Sequence, residues 1–170
     1  FKKAIATERE KILIHTSNFR KVKRVDDVIK IFYEVHKEIP SKLLLIGDGP
    51  ERQKLEEFCR KLAICDDVRF LGKQDAVEEL LAISDLFLIP SENESFGLAA
   101  LEAMACEVPV ISSDAGGLPE LNIHGLSGFV LPVGDVKGMA EHAISLLKDP
   151  EKLALYKKQA YARAKEFDID

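Results

Sequence analysis

Two glutamates flank the start of a predicted helix in the segment PSENESFGLAALEAMA, residues 90–105. Glu94 precedes the helix and Glu102 lies inside it, with seven residues between them. Since a helix rises by 1.5 Å per residue, they stand up to about 12 Å apart along the axis. One carboxylate could therefore hydrogen-bond a sugar and the other a ribose. A diphosphate between them would suit the unpaired amides at the helix start, those of Ser95, Phe96, Gly97 and Leu98.

A purely structural interpretation of the two glutamates remains open. Glu94 would then only favour the helix dipole, worth about 0.3 to 1 kcal/mol, and Glu102 would be a surface residue. However, Glu102 lies in the otherwise apolar LAALEAMA, where a charge is costly unless it is paired. This cost favours the ligand-binding interpretation.

A basic cluster follows the first predicted strand, in the segment SNFRKVKR. Four cations fall within five positions there, namely Arg20, Lys21, Lys23 and Arg24. Arginine offers a planar fork and lysine a point charge, so such a cluster can neutralise a diphosphate. A solvated basic patch would have the same composition, and the segment alone does not separate the two interpretations.

Glycines mark two further turns, GDGP at residues 47–50 and SDAGGLPE at residues 113–120. Glycine permits both a tight turn and a close approach of the backbone to a ligand, so either role stays open for Gly47 and for the glycine pair. The chain has neither a Gly-x-Gly-x-x-Gly dinucleotide fingerprint nor a P-loop ending in Gly-Lys-Ser/Thr. An NAD enzyme and an NTPase are therefore disfavoured.

Short apolar runs alternate with helical patterns along the chain, and these elements must position the loops. The predicted strands are KILIHTS, KLLLIGDGP, DVRFLG, DLFLIP, PVISS and GFVLP. The predicted helices cover about residues 25–39, 55–62, 77–83, 97–105, 118–122, 137–147 and 151–167. This alternation predicts one doubly wound α/β domain, a parallel sheet of about six strands with helices on both faces. Ligands bind such sheets beside the carboxyl ends of the strands, where the loops described above lie.

Composition disfavours several other classes of protein. A formal net charge of -5 over 170 residues argues against a nucleic-acid partner. No apolar stretch approaches the roughly 18 to 20 residues that cross a bilayer, and FKKAIATEREK at the start lacks the apolar run of a signal peptide. Three cysteines without a Cys-x-x-Cys pair are typical of a reduced, cytoplasmic protein.

The histidines are interpreted as structural. His15 lies on a buried-strand pattern, and His36 and His142 lie on predicted helices. His124 lies in a loop before Gly125 and could face the ligand cleft. None is predicted to be catalytic.

Taken together, these residues resemble the C-terminal domain of retaining glycosyltransferases of the GT-B fold, the large family 4 group. The similarity runs over residues 11–167. The segment ESFGLAALEAMACEVPVISSDAGGLPE is similar to the Glu-x7-Glu signature region of that family, a long and specific pattern. GDGPER, VRFLGKQ and GLSGFVLPVGD resemble its other recurring segments, in the same order. The resemblance implies a Rossmann-like domain, the C-terminal half of a GT-B fold, that binds a nucleotide-sugar donor.

The resemblance also implies roles for individual residues. Glu94 would contact hydroxyls of the donor sugar and Glu102 those of the ribose. Arg20 and Lys23 would neutralise the diphosphate, and backbone near Gly72 and Lys73 would meet the base. The full set of expected donor-binding residues is completed by Asn18, Gly47, Ser95, Phe96, Gly97 and Leu98. The family needs no metal ion, so no cofactor is expected.

Two positions depart from the commonest family pattern. Many members have a Gly-Arg pair directly after the first strand, where this chain has Ser17 and Asn18, with Arg20 two positions later. Whether Asn18 or Arg20 makes the first phosphate contact therefore stays open. A glycine commonly follows the EAMAC segment, and Glu107 stands there as a turn variant.

Within the family, SNFRKVKRV, GDGP, FLGKQ and ESFGLAALEAMAC are most similar to bacillithiol-pathway members that join N-acetylglucosamine to L-malate. This similarity implies UDP-N-acetylglucosamine as the donor and a small-molecule acceptor. The acceptor would be bound mainly by an N-terminal domain that this chain lacks. Residues 1–170 would thus be a single donor-binding domain, expected to bind donor without catalysing transfer. A homo-oligomer is compatible with these residues.

Other functions are compatible with parts of the pattern. An enzyme like UDP-N-acetylglucosamine 2-epimerase shares the GT-B architecture. A non-catalytic nucleotide-binding α/β module would explain the fold and the glycines, but not both glutamates together with Arg20 and Lys23. A receiver-type signalling module would instead need clustered acidic residues for Mg²⁺ and a phosphoacceptor aspartate.

Overall fold

The computed structural model describes residues 5–167, in which strands and helices alternate as predicted. The strands are β1 (Lys11–Thr16), β2 (Ser41–Ile46), β3 (Val68–Gly72), β4 (Leu86–Ile89), β5 (Val110–Ser113) and β6 (Gly128–Leu131). The helices are α1 (Val25–Glu38), α2 (Arg52–Lys61), α3 (Val77–Ala82), α4 (Leu98–Ala105), α5 (Leu118–Leu121), α6 (Val136–Lys148) and α7 (Pro150–Lys165). Two short 3-10 turns, Lys21–Lys23 and Cys65–Asp67, add to the predicted elements. Within this range no helix combines the length and apolar character that crossing a membrane requires.

The strands form one parallel sheet in the order β3-β2-β1-β4-β5-β6. β1 pairs with β2 along its whole length and with β4 on its other side. The chain therefore adds strands outward in one direction up to β3 and then restarts on the far side of β1. The predicted doubly wound α/β fold with about six strands is confirmed. The loops after β1 and β4 flank the point at which strand order reverses, where such sheets bind ligands.

Apolar side chains cover both faces of the sheet. In β1, Leu13 packs in a buried cluster with side chains of α1 and α6, whereas Ile12 and Ile14 pack in a second cluster with α4 and α7. Successive side chains of a strand point to opposite faces, so a run that is apolar at every position requires cover on both sides. The strand ends are thereby held between two layers of helix, and they support the loops that follow them.

Glu107 adopts a left-handed backbone conformation between α4 and β5, with φ of 63°. A residue with a Cβ pays about 1 kcal/mol for this conformation, which glycine adopts freely. We therefore expect Glu107→Gly to raise the free energy of unfolding by about 0.5 kcal/mol, measured by urea denaturation. The matched control is Glu141→Gly in α6, which should lower it by roughly 0.5 to 1 kcal/mol because glycine weakens a helix interior. A loss of stability in Glu107→Gly would contradict the assigned strain.

Candidate functional site

A lysine and a glutamate meet in the crevice at the strand-order reversal. Lys23 comes from the loop after β1 and Glu94 from the loop after β4. The Lys23 Nζ donates a hydrogen bond of 2.7 Å to Glu94 Oε2, across 71 positions of sequence. Their side chains are only 23% and 12% exposed. The pairing of β1 with β4 thus brings the predicted cation and the predicted acid into contact.

The 3-10 turn Lys21–Lys23 ends at Arg24, which joins the two loops. Arg24 has φ of 50°. Its Nε donates to Asp27 Oδ2 at 2.8 Å and its Nη1 to Glu92 Oε2 at 3.2 Å, and these hydrogen bonds raise the pKa of the guanidinium, Asp27 having the largest effect. The Glu92 amide donates to the Val22 carbonyl at 2.9 Å. The hydrogen bonds of Arg24 therefore hold the loop after β1 against the loop after β4.

The glycine pair before α5 supports the backbone of Glu94. The Gly117 amide donates to the Glu94 carbonyl at 3.2 Å. A Cβ built on Gly116, whose φ is 52°, would lie 1.6 Å from that carbonyl oxygen, and one on Gly117 would lie 2.5 Å from the Ser95 oxygen. The glycine pair thus packs closely against the chain's own loop after β4, a role that the sequence analysis did not predict. An approach of these glycines to a ligand remains a prediction.

The turn into α4 leaves main-chain amides without protein acceptors. Gly97 precedes α4 with φ of 84°. Among residues 5–167, no carbonyl or side chain accepts a hydrogen bond from the amides of Ser95, Phe96, Gly97 or Leu98. Unpaired amides at the start of a helix favour an anion, because their partial positive charges and the helix dipole add. This turn directly follows the Glu94 that binds Lys23.

His15, in β1, supports the loop that follows this strand. The ring is fully buried, with Nδ1 2.7 Å from the Leu88 carbonyl oxygen and Nε2 2.9 Å from the Ser17 hydroxyl. Since a carbonyl oxygen only accepts, Nδ1 carries the proton and Nε2 accepts from Ser17. Ser17 Oγ in turn accepts from the Phe19 amide at 3.2 Å, where the backbone is left-handed with φ of 46°. The predicted burial of His15 in β1 is confirmed.

Burial makes His15 an acid-sensitive element of this loop. Desolvation lowers the pKa of the imidazole to about 4; the Leu88 carbonyl opposes the shift and the charge of Lys23 adds to it. The imidazole of the unfolded chain has the ordinary pKa of 6.5, so between pH 6.5 and pH 4 the unfolded chain binds more protons than the folded chain does. The contribution of the neutral His15 to the free energy of unfolding is therefore complete above pH 6.5 and is lost as the pH drops toward 4.

We expect this histidine alone to remove roughly 2 to 3 kcal/mol from the free energy of unfolding between pH 7.5 and pH 4.5. Other groups also titrate in acid, so the measurement is the difference between wild type and His15→Gln by urea denaturation at both pH values. The advantage of the wild type should shrink by about that amount, because glutamine takes up no proton. An equal difference at both pH values would contradict the buried neutral imidazole.

One cavity at the crevice is lined by three predicted residues, Asn18, Lys23 and Glu94. Its other walls are formed by His15, Thr16, Ser17, Ile89, Ser91 and Ala99. Within the described part of the chain, the buried Ser91 Oγ has no hydrogen-bond partner, which is costly unless a ligand or water supplies one. The sequence analysis did not identify Ser91. Its only signal was a hydroxyl directly after Pro90 at a strand end.

Arg20 and Glu102 lie outside that cavity. Arg20 is exposed and lines a neighbouring cavity with Lys21 and Lys54. Glu102 is an exposed residue of α4, so the expected cost of a charge in an apolar segment does not apply to it. Partial desolvation, and secondarily the charge of Glu78, raise the pKa of its carboxyl. The predicted contacts of both residues with a ligand remain predictions.

Gly47, Gly72 and Lys73 lie on the β2 and β3 side of the crevice. The Gly47 amide donates to the Gly72 carbonyl at 2.9 Å, which ties the two loops together. A Cβ on Gly47 would lie 1.8 Å from the Ser17 carbonyl oxygen, so glycine is required there for packing of the two loops. Lys73 is exposed. The proposed proximity of Gly72 and Lys73 to a base remains a prediction.

The remaining histidines provide no obvious ligand set. His124 packs against Phe129 and His142, and its Nδ1 accepts from the Val130 amide at 3.0 Å. It therefore belongs to an aromatic cluster beside β6 and does not line the Lys23 cavity. Across residues 5–167, no group of three or more His, Cys, Asp or Glu side chains is placed to hold a metal ion.

Fold and crevice together define a class of protein. A doubly wound sheet with an acid, a cation and unpaired amides at its strand-order reversal is typical of a nucleotide-binding domain. The model of the family described as Glycosyl transferases group 1 matches residues 1–163, and the chain belongs to this family. The resemblance inferred from the motifs is thereby confirmed.

Among curated relatives, the N-acetyl-alpha-D-glucosaminyl L-malate synthase of Bacillus anthracis is 57% identical over 145 residues. That alignment covers 85% of this chain and 38% of the relative, so the chain spans well under half of that protein.

Solved glycosyltransferase structures share the fold. S. aureus TarM superposes with a TM-score of 0.89 at 23% identity, over 95% of this chain and 33% of that one. Anabaena Alr3699/HepE, solved in complex with UDP and glucose, superposes with a TM-score of 0.85 at 27% identity. The match covers 93% of this chain and 44% of the Anabaena protein. These likenesses support the assignment to a Rossmann-like domain of a GT-B fold.

Proposed function

We propose that this chain is the donor-binding domain of a retaining glycosyltransferase that uses UDP-N-acetylglucosamine, with L-malate as the acceptor of the whole protein. The identity to the Bacillus anthracis synthase supports the choice of donor and acceptor. The complex of the Anabaena protein with UDP and glucose supports a uridine nucleotide in a domain of this shape. The single observation that carries the proposal is the Lys23 to Glu94 contact beside the unpaired amides of residues 95–98.

The diphosphate rests on those amides and on Lys23. An ammonium group has three donor hydrogens, so Lys23 can keep its bond to Glu94 while donating to a phosphate oxygen. Arg20 is exposed and can turn from its neighbouring cavity toward the same charge. As the bond from the sugar to the diphosphate breaks, negative charge grows on the leaving group. Fixed donors aimed at that charge lower the barrier, since they need no reorganisation during the reaction.

Glu94 positions the donor sugar. Its second carboxylate oxygen, Oε1, remains available to accept from a sugar hydroxyl while Oε2 holds Lys23. Ser91 Oγ, buried in the same cavity, is a further polar group for the sugar. Glu102 would accept from the ribose hydroxyls, and the backbone at Gly72 and Lys73 would contact the base.

The acceptor approaches from the face that the diphosphate leaves, so the configuration at the anomeric carbon is retained. In this proposal most acceptor contacts come from an N-terminal domain of the whole protein. The chemistry assigned to the described residues uses main-chain amides, one cation and one acid, and no step depends on a metal ion.

Titration calorimetry with UDP-N-acetylglucosamine and GDP-mannose tests the proposal. We expect the uridine donor to bind this chain at least ten-fold more tightly, and UDP-release assays to show transfer to L-malate only with the whole protein. Tighter binding of GDP-mannose would overturn the choice of nucleotide, and no binding of either would overturn the donor-binding function. Epimerisation of the donor by the whole protein would instead support an enzyme like the 2-epimerase.

A further inference from the structure

The turn that carries the unpaired amides is contacted from the far end of the chain. The Phe96 ring packs edge-to-face against Phe167, just beyond α7, with centroids 5.9 Å apart at 67°. The guanidinium of Arg163 lies over the Phe167 ring at 4.8 Å from its centroid. Contacts among Arg163, Phe167 and Phe96 therefore connect α7 to the turn before α4.

The same arginine holds the other side of the turn. Arg163 Nε donates to the Leu121 carbonyl at 3.0 Å, and Nη2 donates to the Glu120 carbonyl at the end of α5. α5 carries Leu118, whose Cδ2 would lie 2.8 Å from a Cβ added to Gly97. α5 thus packs directly against the Gly97 turn, and α7 anchors α5.

The amides of the turn do not restrain it. Within residues 5–167 no main-chain hydrogen bond involves the amides of residues 95–98; the Gly117 amide on the Glu94 carbonyl and the Leu101 amide on the Gly97 carbonyl bind only at its two ends. Amides without partners do not hold their own backbone in place, and ordering them when a ligand binds costs conformational entropy. Packing that orders the turn beforehand reduces this cost and strengthens binding.

We propose that Phe167 and Arg163 are positioning residues for the anion-binding turn, holding Phe96 and α5 so that the amides of residues 95–98 are ordered before the donor diphosphate arrives. This inference rests on the proposed function for its ligand. Neither residue touches the donor; each acts through its contact with the turn or with α5.

The test compares Phe167→Ala, Phe167→Tyr, Arg163→Met and Tyr161→Ala with the wild type. Tyr161 is the matched control, because it is an exposed aromatic residue of α7 paired only with Lys165 in the described contacts. UDP binding is measured by calorimetry, and backbone order parameters of residues 95–98 are measured by ¹⁵N relaxation without ligand. Thermal unfolding confirms that each variant is folded at the temperature used.

We expect Phe167→Ala to weaken UDP binding about ten-fold and to lower the order parameters of the turn from roughly 0.85 toward 0.6. Phe167→Tyr keeps the ring and should restore both values, and Tyr161→Ala should leave both unchanged. Arg163→Met should weaken UDP binding in the same direction, because it frees the end of α5. UDP binding by Phe167→Ala within two-fold of wild type, or unchanged order parameters, would overturn the inference. Failure of the wild type to bind UDP would overturn the proposed function instead, while the order parameters would still report whether Phe167 orders the turn.

Discussion

Lys23→Ala should weaken binding of UDP-N-acetylglucosamine about 100-fold. A hydrogen bond to a charged group contributes roughly 1.5 to 3 kcal/mol, which corresponds to about a 10- to 150-fold change in affinity. The variant also leaves Glu94, only 12% exposed, as an uncompensated negative charge beside the diphosphate. Both effects weaken the binding of the same anion, so their sum lies near the upper end of that range.

Calorimetry measures this loss, and Lys148→Ala is its matched control. Lys148 forms an exposed ion pair of 2.9 Å with Glu38 between α6 and α1, away from the crevice, so its removal should leave UDP binding unchanged. Adding Glu94→Gln to Lys23→Ala should restore part of the affinity, because the repulsive carboxylate is then gone. If Lys23→Ala binds within three-fold of wild type, the diphosphate is not held at this pair.

In the whole protein, Glu94→Gln alone should lower turnover about 100-fold, within the range seen when a single polar group that stabilises a transition state is removed. The amide oxygen still accepts a hydrogen bond, but it lacks the charge that orients Lys23. Steady-state transfer to the proposed acceptor, L-malate, measures the effect. Wild-type turnover would count against the assignment of Glu94 to the donor sugar.

Gly116→Ala should lower the free energy of unfolding by about 4 kcal/mol, because left-handed backbone strain and steric overlap add. A Cβ at this position would lie 1.6 Å from the Glu94 carbonyl oxygen, far inside contact distance. The chain must therefore separate the loop before α5 from the loop after β4. That movement would also displace Glu94 from Lys23, so UDP binding should fall even where the variant remains folded.

The control for Gly116→Ala is Gly125→Ala. Gly125 also has a positive φ, 81°, but a Cβ there has no neighbour within 4 Å. Gly125→Ala should therefore cost only the backbone strain, about 1 kcal/mol, and leave UDP binding unchanged. Urea denaturation and calorimetry of the two variants separate strain from overlap. Equal losses of stability at both positions would contradict the close approach at Gly116.

Much of the architecture could be predicted from the residues because its signals are local. The apolar runs of β1 and β2 and the three-and-four spacing of α1 each depend on neighbours within one element. The predicted end of α1 before Pro40 agrees with its observed end at Glu38. The 3-10 turn Lys21–Lys23 could not be predicted, since so short a segment has no periodicity to detect.

The site was only partly predictable, and Arg20 and Lys23 show why. Both belong to one basic cluster, and by charge alone either could bind a diphosphate. In the structure, Lys23 contacts Glu94 while Arg20 lines a neighbouring cavity. The 3-10 turn and the Arg24 contacts at its end determine which side chain faces the crevice. Neither the turn nor these contacts can be predicted from the types of the residues.

Residue types and spacing alone determine the number of strands and helices and their order along the chain. They also identify the family and the candidate acids, cations and glycines. These properties depend on local periodicity and on motifs read within one segment. The tertiary structure alone decided the strand order, the contact between Lys23 and Glu94, the role of Gly116 and the contact of α7 with the anion-binding turn. Each joins segments far apart in sequence, and such contacts are selected by the packing of the whole sheet between its helices.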